Sequence, residues 1–176
     1  MKLSKIVLGV SLALGMVSFA NADSGHGTVS FTGSIIDAPC SIDPQNVDQT
    51  VELGQISTST LENSGQSTPQ NFTIKLTNCN VATLKSVSAK FTGAEGMTKG
   101  LLGITGTAKG ASIGITDGAG KVIALNTATD VQNLQNGDHN LTFAAYLQGD
   151  GKVGEDKVTI VPGDFKGVTN FTLAYL

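Results

Sequence analysis

The sequence predicts an all-β sandwich, and three observations support this. Many short segments alternate apolar and polar residues with the period of a strand. Glycine-rich and asparagine-rich turns separate these segments at near-regular spacing. No segment sustains a helical period for three turns. Two packed sheets are therefore favoured over a helical or mixed fold.

The first 22 residues have the pattern of a cleaved secretory signal peptide. Two early lysines precede the mostly apolar run Ile6–Ala20, and Ala20-Asn21-Ala22 is a small-x-small cleavage site. We expect the mature chain to begin at Asp23. An uncleaved membrane anchor is the alternative, but the apolar run is short for one.

The mature chain is acidic and has the length of one domain. It keeps 154 of the 176 residues, with nine lysines, no arginine and fourteen acidic residues, for a formal charge of −5. This balance argues against nucleic-acid binding, which needs basic patches. No later run is apolar enough to span a membrane. We expect an N-terminal extension over residues 23–36 and one domain over residues 37–176.

The stretch Gly27–Ile36 alternates cleanly but contains a misplaced glycine. One face carries the residues Val29, Phe31, Gly33 and Ile35, and the other carries only serine and threonine. A glycine inside a strand weakens it and often marks a place where another backbone comes close. We therefore predict a strand here whose pairing partner belongs to another copy of the chain.

Further segments along the chain also have the strand pattern. The polar stretch Ser57–Gln70 interrupts them as a loop with one helical turn around Leu61. Asp117–Gly120 is a hairpin turn. The segments with strand-like apolar patterns are Val47–Ile56, Asn71–Cys79, Val87–Phe91, Leu101–Thr105, Ala111–Thr116, Lys121–Leu125, Leu141–Leu147 and Val168–Leu176.

The last of these segments is expected to be a strand without a partner on its outer edge. Phe171, Leu173 and Tyr175 share one face of it, and no later segment follows to cover them. Monomeric proteins avoid long exposed apolar edges because such edges aggregate. We expect the first and last strands to complete each other between molecules, a form of strand addition.

Cys40 and Cys79 are the only cysteines, and in a secreted chain such a pair is first interpreted as a disulfide. Closing a loop of about 40 residues would stabilise the fold by roughly 4 kcal/mol on the chain-entropy model. A two-thiolate metal site is the alternative. It lacks further ligands, because His26 and His139 are isolated.

Motifs for catalysis or cofactor binding are weak, so we predict no enzyme and no cofactor. Gly114–Lys121 faintly resembles a phosphate loop but has the wrong spacing, and a hairpin turn is favoured. His139 is expected to be a solvated turn residue. Asp150, Glu155 and Asp156 do not have calcium-loop spacing and are expected to form a solvated acidic loop.

In combination, these residues resemble a major structural pilin of the chaperone–usher pili of Gram-negative bacteria, of the type 1 and P-pilus kind. The resemblance extends over the whole mature chain. Singly its motifs are weak, but their order behind a signal peptide is specific. They are Gly27–Cys40, Val47–Ile56, Cys79 after a strand, Phe143–Tyr146, Gly163 and the penultimate Tyr175.

The resemblance implies an immunoglobulin-like sandwich that lacks its last strand, leaving a groove beside the C-terminal strand. A periplasmic chaperone would lend a strand to that groove. At an outer-membrane usher, the extension of another pilin subunit would replace it. The implied donor residues are Val29, Phe31, Gly33 and Ile35, and the implied groove and C-terminal strand residues are Gly163, Phe171, Leu173 and Tyr175.

The leading hypothesis is therefore a rod subunit of a fimbria on the bacterial surface, supporting adhesion as a polymer of such subunits. A minor adaptor or an adhesive subunit of the same pilus is the alternative. A dedicated tip adhesin would resemble a two-domain protein, and this chain has no room for a second domain. A periplasmic hydrolase is a third hypothesis, without a supporting motif.

Overall fold

The structure, a computed structural model, describes residues 27–153 and 156–176. The proposed signal peptide lies outside the described residues. The chain divides into two units, Met1–Ile35 and Ile36–Leu176. All helices and strands of the described residues lie in the second unit.

Strands make up nearly all of the regular secondary structure of the second unit in the part of the chain that the structure describes. The helical pieces are α1 (Thr58–Leu61) and two 3₁₀ turns, Pro44–Asn46 and Glu62–Ser64. The strands are β1 (Ser41–Ile42), β2 (Gln70–Cys79), β3 (Ser86–Thr92), β4 (Leu102–Gly103), β5 (Thr105–Gly106), β6 (Ala111–Asp117), β7 (Gln132–Asn133), β8 (Gly137–Gly149), β9 (Lys152–Val153), β10 (Asp156–Lys157), β11 (Phe165–Lys166) and β12 (Asn170–Tyr175).

Two sheets make up the body of this unit. The larger has the order β1-β2-β8-β6-β4, and the smaller has the order β12-β3-β7. Every pairing in them is antiparallel. Two short ribbons, β10-β9 and β11-β5, complete the strand pairings. The expected all-β class is confirmed.

The core includes three phenylalanine rings contributed by both sheets. Phe143 of β8 and Phe91 of β3 meet edge to face with ring centroids 5.1 Å apart. Phe72 of β2 lies 5.6 Å from Phe143 and 6.2 Å from Phe91. Phe91 and Phe143 are fully buried, whereas Phe72 is half-buried. Aromatic pairs in these arrangements add to the stabilisation from burial itself.

Several predicted local elements are confirmed. The helical turn at Leu61 is α1, and the Ser57 hydroxyl accepts a hydrogen bond from the Thr60 backbone at its start. In the turn at Asp117, the Gly120 N–H donates to the Asp117 carbonyl, and the Asp117 carboxylate accepts from Ala119 and Lys121. The strands predicted around residues 71–79, 87–91, 111–116, 141–147 and 168–176 are all present.

Two alternating segments do not form the strands that their patterns suggested. Val47–Ile56 contains none, although Val51 and Leu53 pack half-buried against the core. Gly54 follows them with φ +75°, a value that interrupts an extended backbone. Lys121–Leu125 makes only the single bridge Thr116–Val122, while burying Ile123 and Leu125. In these two segments, the alternation of apolar residues reflects burial of their side chains and not pairing with a neighbouring strand.

Two expectations about polar residues were wrong. His139 lies within β8 opposite Leu76, not in a polar turn, because β8 begins at Gly137. Asp150 is only 7 % exposed, so it does not belong to a solvated loop. Its carboxylate accepts hydrogen bonds from the Ser112 and Thr98 hydroxyls. Glu155 lies outside the described residues.

Candidate subunit interface

The last strand, β12, has one paired edge and one open edge. It pairs with β3 from Asn170 opposite Thr92 to Tyr175 opposite Val87. Among the described residues no strand pairs with its other edge. An unpaired edge presents a row of backbone donors and acceptors that another strand can use.

The hydrogen bonds at the end of β12 show which of its backbone groups face the open edge. Leu176 and Ser86 exchange both backbone hydrogen bonds, at 2.9 and 3.0 Å. In an antiparallel ladder the bonded pairs alternate with pairs that do not bond each other. The N–H and C=O groups of Phe171, Leu173 and Tyr175 therefore point to the open edge.

The side chains of these same three residues face the core. Phe171, Leu173 and Tyr175 lie opposite the buried Phe91, Ala89 and Val87 and pack against the core while staying half-exposed. The alternate residues Asn170, Thr172 and Ala174 are exposed on the other face. The prediction that residues 171, 173 and 175 share one apolar face is confirmed.

Tyr175 is the titratable group on this apolar face. Desolvation by burial raises the pKa of its phenol above the ordinary value of 10.0. The neutral phenol is therefore the form that suits the half-buried site.

Lys85, just before β3, and Ser86, its first residue, hold the end of the open strand, and neither was predicted from the sequence. The Leu176 carbonyl oxygen accepts from the Lys85 and Ser86 backbones and from the Ser86 hydroxyl at 3.1 Å. The Leu176 N–H donates back to Ser86. No sequence signal marks this contact, because it depends on backbone groups about 90 residues apart.

Gly163 lies outside β12, in a bend before β11. A Cβ there would lie 2.7 Å from the Ala108 backbone nitrogen and still closer to the Thr107 hydroxyl. The next residue, Asp164, exchanges hydrogen bonds with Thr107 through its N–H and carbonyl. Gly163 therefore permits a close approach between two segments of its own domain.

The segment over residues 27–35 belongs to the first unit and forms no strand. Val29, Phe31 and Ile35 are 75 %, 90 % and 104 % exposed. No described atom outside its immediate chain neighbours lies within 4 Å of a Cβ built at Gly33. The alternating pattern is therefore present in the sequence without the pairing that would make it a strand.

Cys40 and Cys79 form the predicted disulfide in the second unit. Next to it, the Asn80 N–H donates to the Pro39 carbonyl at 2.8 Å. The chain leading into β1 is thereby fastened to the end of β2. No helix of the described residues is long and apolar enough to cross a membrane.

These features define a class of protein: a disulfide-linked β-sandwich whose last strand has an unpaired edge with a half-buried apolar face, among the residues that the structure describes. The fimbrial protein family matches residues 29–175, and the chain belongs to that family. It is 57 % identical to the fimbria A protein of Serratia marcescens, with 99 % of both chains covered. It is 49 % identical to the major MR/P fimbria protein of Proteus mirabilis strain HI4320, again over 99 % of both chains.

Solved structures agree with this assignment. The crystal structure of the P pilus rod subunit PapA is similar with a TM-score of 0.68 at 32 % identity, covering 79 % of this chain and all of that one. A chaperone–usher pilus structure describing rod uncoiling is similar with a TM-score of 0.74 at 31 % identity, covering 87 % and 97 % of the two chains. The fold is thus the incomplete immunoglobulin-like sandwich of pilins.

The chain is a structural pilin, and fimbriae on the cell surface are its location. The relatives named as major subunits favour this over the adaptor or adhesive alternative. The family is one of structural subunits that polymerise into pili.

Proposed function

We propose that the chain polymerises by strand donation, with the extension over residues 23–36 of one copy completing the domain over residues 37–176 of another. The observation that carries this proposal is the open edge of β12, whose apolar face is only half-buried. Backbone groups of Phe171, Leu173 and Tyr175 on this edge are the acceptors and donors for the incoming strand.

The segment Gly27–Ile36 has the dimensions and pattern that this edge requires. Ten extended residues span about 33 Å, enough to run past the roughly 20 Å of the six residues of β12. Every second side chain of a strand faces the same way, so Val29, Phe31 and Ile35 enter the groove together. Gly33, between them, allows the two backbones to approach.

Burial of the donor side chains gives a durable joint. Fully burying Val29, Phe31 and Ile35 contributes about 1.5–3 kcal/mol each. Each main-chain ladder bond adds about 1 kcal/mol net. The cost of ordering a flexible extension subtracts from this sum. Dissociation requires the whole strand to unzip, so the joint is also slow to break.

A subunit with an open apolar edge needs protection before assembly. We propose that a periplasmic chaperone supplies a temporary strand to this edge and that an outer-membrane usher is where the next subunit's extension replaces it. Exchange then proceeds toward the better-packed strand. The assembled product is a homopolymer, or a polymer with similar pilins.

A synthetic peptide of Gly27–Ile36 tests the proposal directly. The acceptor is the mature chain lacking residues 23–36. Its unfolding is measured with and without the peptide. We expect the peptide to raise the midpoint of unfolding, since it binds the folded state alone. The matched control peptide carries Phe31→Asp, which places a charge in the groove, and should not raise it. Equal stability with the Gly27–Ile36 peptide and without it would contradict strand donation.

A second experiment tests the proposal in cells. Deleting Ser24–Ile35 removes the donor segment and leaves the open edge in place. We expect the deleted subunit to accept a strand from a neighbour but to give none, so a filament cannot continue through it. Electron microscopy of such cells should show few or short filaments. Filaments of normal length containing the deleted subunit would overturn the donor assignment.

A further inference from the structure

The short segment Ala94–Leu101 lies between β3 and β4 and folds back on itself. We call it the strap. Within it, the Gly96 N–H donates to the Leu101 carbonyl at 2.9 Å, and the Leu101 N–H donates to the Thr98 carbonyl at 3.1 Å. The Gly103 N–H donates to the Ala94 carbonyl at 2.8 Å, which closes the base. The strap is thus a compact unit, and its ends lie close together.

The strap lies over the outward side of β6. Ile113 and Ile115 of that strand belong to the core, so the alternate residue Ser112 points the other way. Ser112 is nevertheless completely buried. A Cβ on Gly96 would lie 2.9 Å from the Ser112 Cβ and overlap its hydroxyl. Gly96 therefore lets the strap approach β6 closely.

Asp150 joins the strap to the sheet. It follows the end of β8 directly, is 7 % exposed, and donates its backbone N–H to the Gly110 carbonyl at 2.9 Å. One oxygen of its carboxylate accepts a hydrogen bond from the Thr98 hydroxyl of the strap at 2.9 Å. The same oxygen accepts from the Ser112 hydroxyl of β6. A single side chain therefore connects β8, β6 and the strap.

We propose that Asp150 is a positioning residue that keeps the strap closed over β6, and that the strap opens as a local unit when this acceptor is lost. The Ser112 and Thr98 hydroxyls both donate to one oxygen of Asp150, and a buried hydroxyl left without its acceptor is costly. Without the Asp150 carboxylate, the buried Ser112 hydroxyl would have no acceptor. Opening lets water reach Ser112 and frees the tip of the strap, which carries the exposed residues Met97 and Lys99.

Limited trypsin digestion of the full exported chain reads out strap opening. All cleavage sites are lysines, and Lys99 lies at the tip of the strap, whereas Lys90 lies within the paired strand β3. In Asp150→Ala we expect cleavage after Lys99 to accelerate roughly tenfold or more, with cleavage after Lys90 unchanged. Asp150→Asn keeps an acceptor oxygen and should restore most of the protection.

A matched control lies at the other end of the same strand. Asp138→Ala removes an exposed carboxylate of β8 that pairs with Lys75, and should leave cleavage after Lys99 unchanged. If Asp150→Ala does not fold, Thr98→Val is used instead. It removes only the hydrogen bond from the Thr98 hydroxyl of the strap to Asp150. Faster hydrogen exchange confined to residues 94–101 of that variant then supports the proposal. Unchanged strap protection in Thr98→Val, or equal acceleration after Lys90 and Lys99 in a folded Asp150→Ala, would overturn it.

Discussion

Phe171 lies directly opposite Phe91 in the pairing of β12 with β3, and the two residues differ only in what covers them. Phe91 is 2 % exposed, whereas Phe171 is half-buried. Both side chains face the core, so the difference arises at the open edge beside β12. A donated strand would bury Phe171, and the same holds for Leu173 and Tyr175 along that edge.

Leu173→Ala should weaken strand acceptance without unfolding the subunit. Leu173 lies opposite the small residue Ala89, so a donated strand would gain much of its contact from the leucine side chain. Losing part of a buried leucine costs about 1–2 kcal/mol, or roughly a tenfold weaker affinity for the Gly27–Ile36 peptide. Titration of the peptide into the acceptor domain measures this.

The control for this substitution is Thr172→Ala, on the exposed face of the same strand. It alters strand propensity in β12 while leaving the groove face intact. We expect its peptide affinity to stay within about twofold of the parent, because surface changes cost within about 0.5 kcal/mol. Equal losses in the two variants would show that Leu173 acts through β12 itself rather than through the groove.

Gly33→Leu should block strand donation while leaving the donor's own subunit unaffected. A Cβ at Gly33 meets no described atom within 4 Å, so the free chain tolerates a side chain there. In the proposed joint, the glycine lies where two backbones approach, and a leucine would force them apart. We expect the substituted peptide to lose stabilisation of the acceptor, measured as a shift in the unfolding midpoint.

Thr32→Val serves as the matched control, because it adds apolar character one residue away on the opposite face. Its peptide should stabilise the acceptor as well as the parent peptide does. Full activity of the Gly33→Leu peptide would remove the reason for a glycine at this position and would weaken the proposed register.

The sequence predicts which side chains share a face of a strand far better than it predicts which strands pair with each other. The period of two in residues 170–175 is a local property, and it correctly predicts that Phe171, Leu173 and Tyr175 lie on one face. Pairing of β12 with β3 joins residues about 80 apart, and no local pattern specifies it. The alternation at Val51 and Leu53 was misleading because half-burial, not ladder pairing, explains it.

The burial of Asp150 was likewise not predictable from the local sequence. A carboxylate in a glycine-rich acidic stretch is usually solvated, and the expectation followed that rule. Its burial depends on Ser112 and Thr98, which lie 38 and 52 residues earlier in the chain. Only the folded arrangement brings these hydroxyls together.

Gly114→Ala should destabilise the domain through a clash with Tyr146. The two residues lie opposite each other in the pairing of β6 with β8, and a Cβ on Gly114 would overlap the Tyr146 ring. Tyr146 is 3 % exposed, so its ring has little room to move. We expect a loss of about 1–3 kcal/mol in the free energy of unfolding, measured by denaturant titration.

Gly118→Ala provides the comparison in the turn that follows β6. The nearest atom to its added Cβ would be the Thr142 carbonyl at 3.4 Å, an ordinary contact. We expect little change in stability there. If Gly114→Ala were equally tolerated, the ring of Tyr146 would have to shift freely, and the close packing of this pair would not constrain the sheet.

Strand acceptance should weaken above pH 10 because of Tyr175. Burial raises the pKa of its phenol above 10.0, so the folded acceptor holds the phenol proton more tightly than the unfolded chain does. The resulting stabilisation is fully present below the unfolded value and is lost as the pH rises through the folded pKa. A donated strand would cover Tyr175 further and should raise its pKa again. We therefore expect the peptide to bind the acceptor with a neutral Tyr175 phenol better than the acceptor with a phenolate.

The Gly27–Ile36 peptide suits this measurement, because with capped termini it carries no titratable group. Its affinity for the acceptor domain, measured at neutral pH and above pH 10, should fall at the higher pH. Tyr175→Phe keeps the ring and removes the phenol, so its affinity should fall less. Lysine titration and Tyr146, whose pKa is also raised by burial, are common to both proteins and cancel in the comparison. An identical fall in the two proteins would show that the incoming strand does not cover Tyr175.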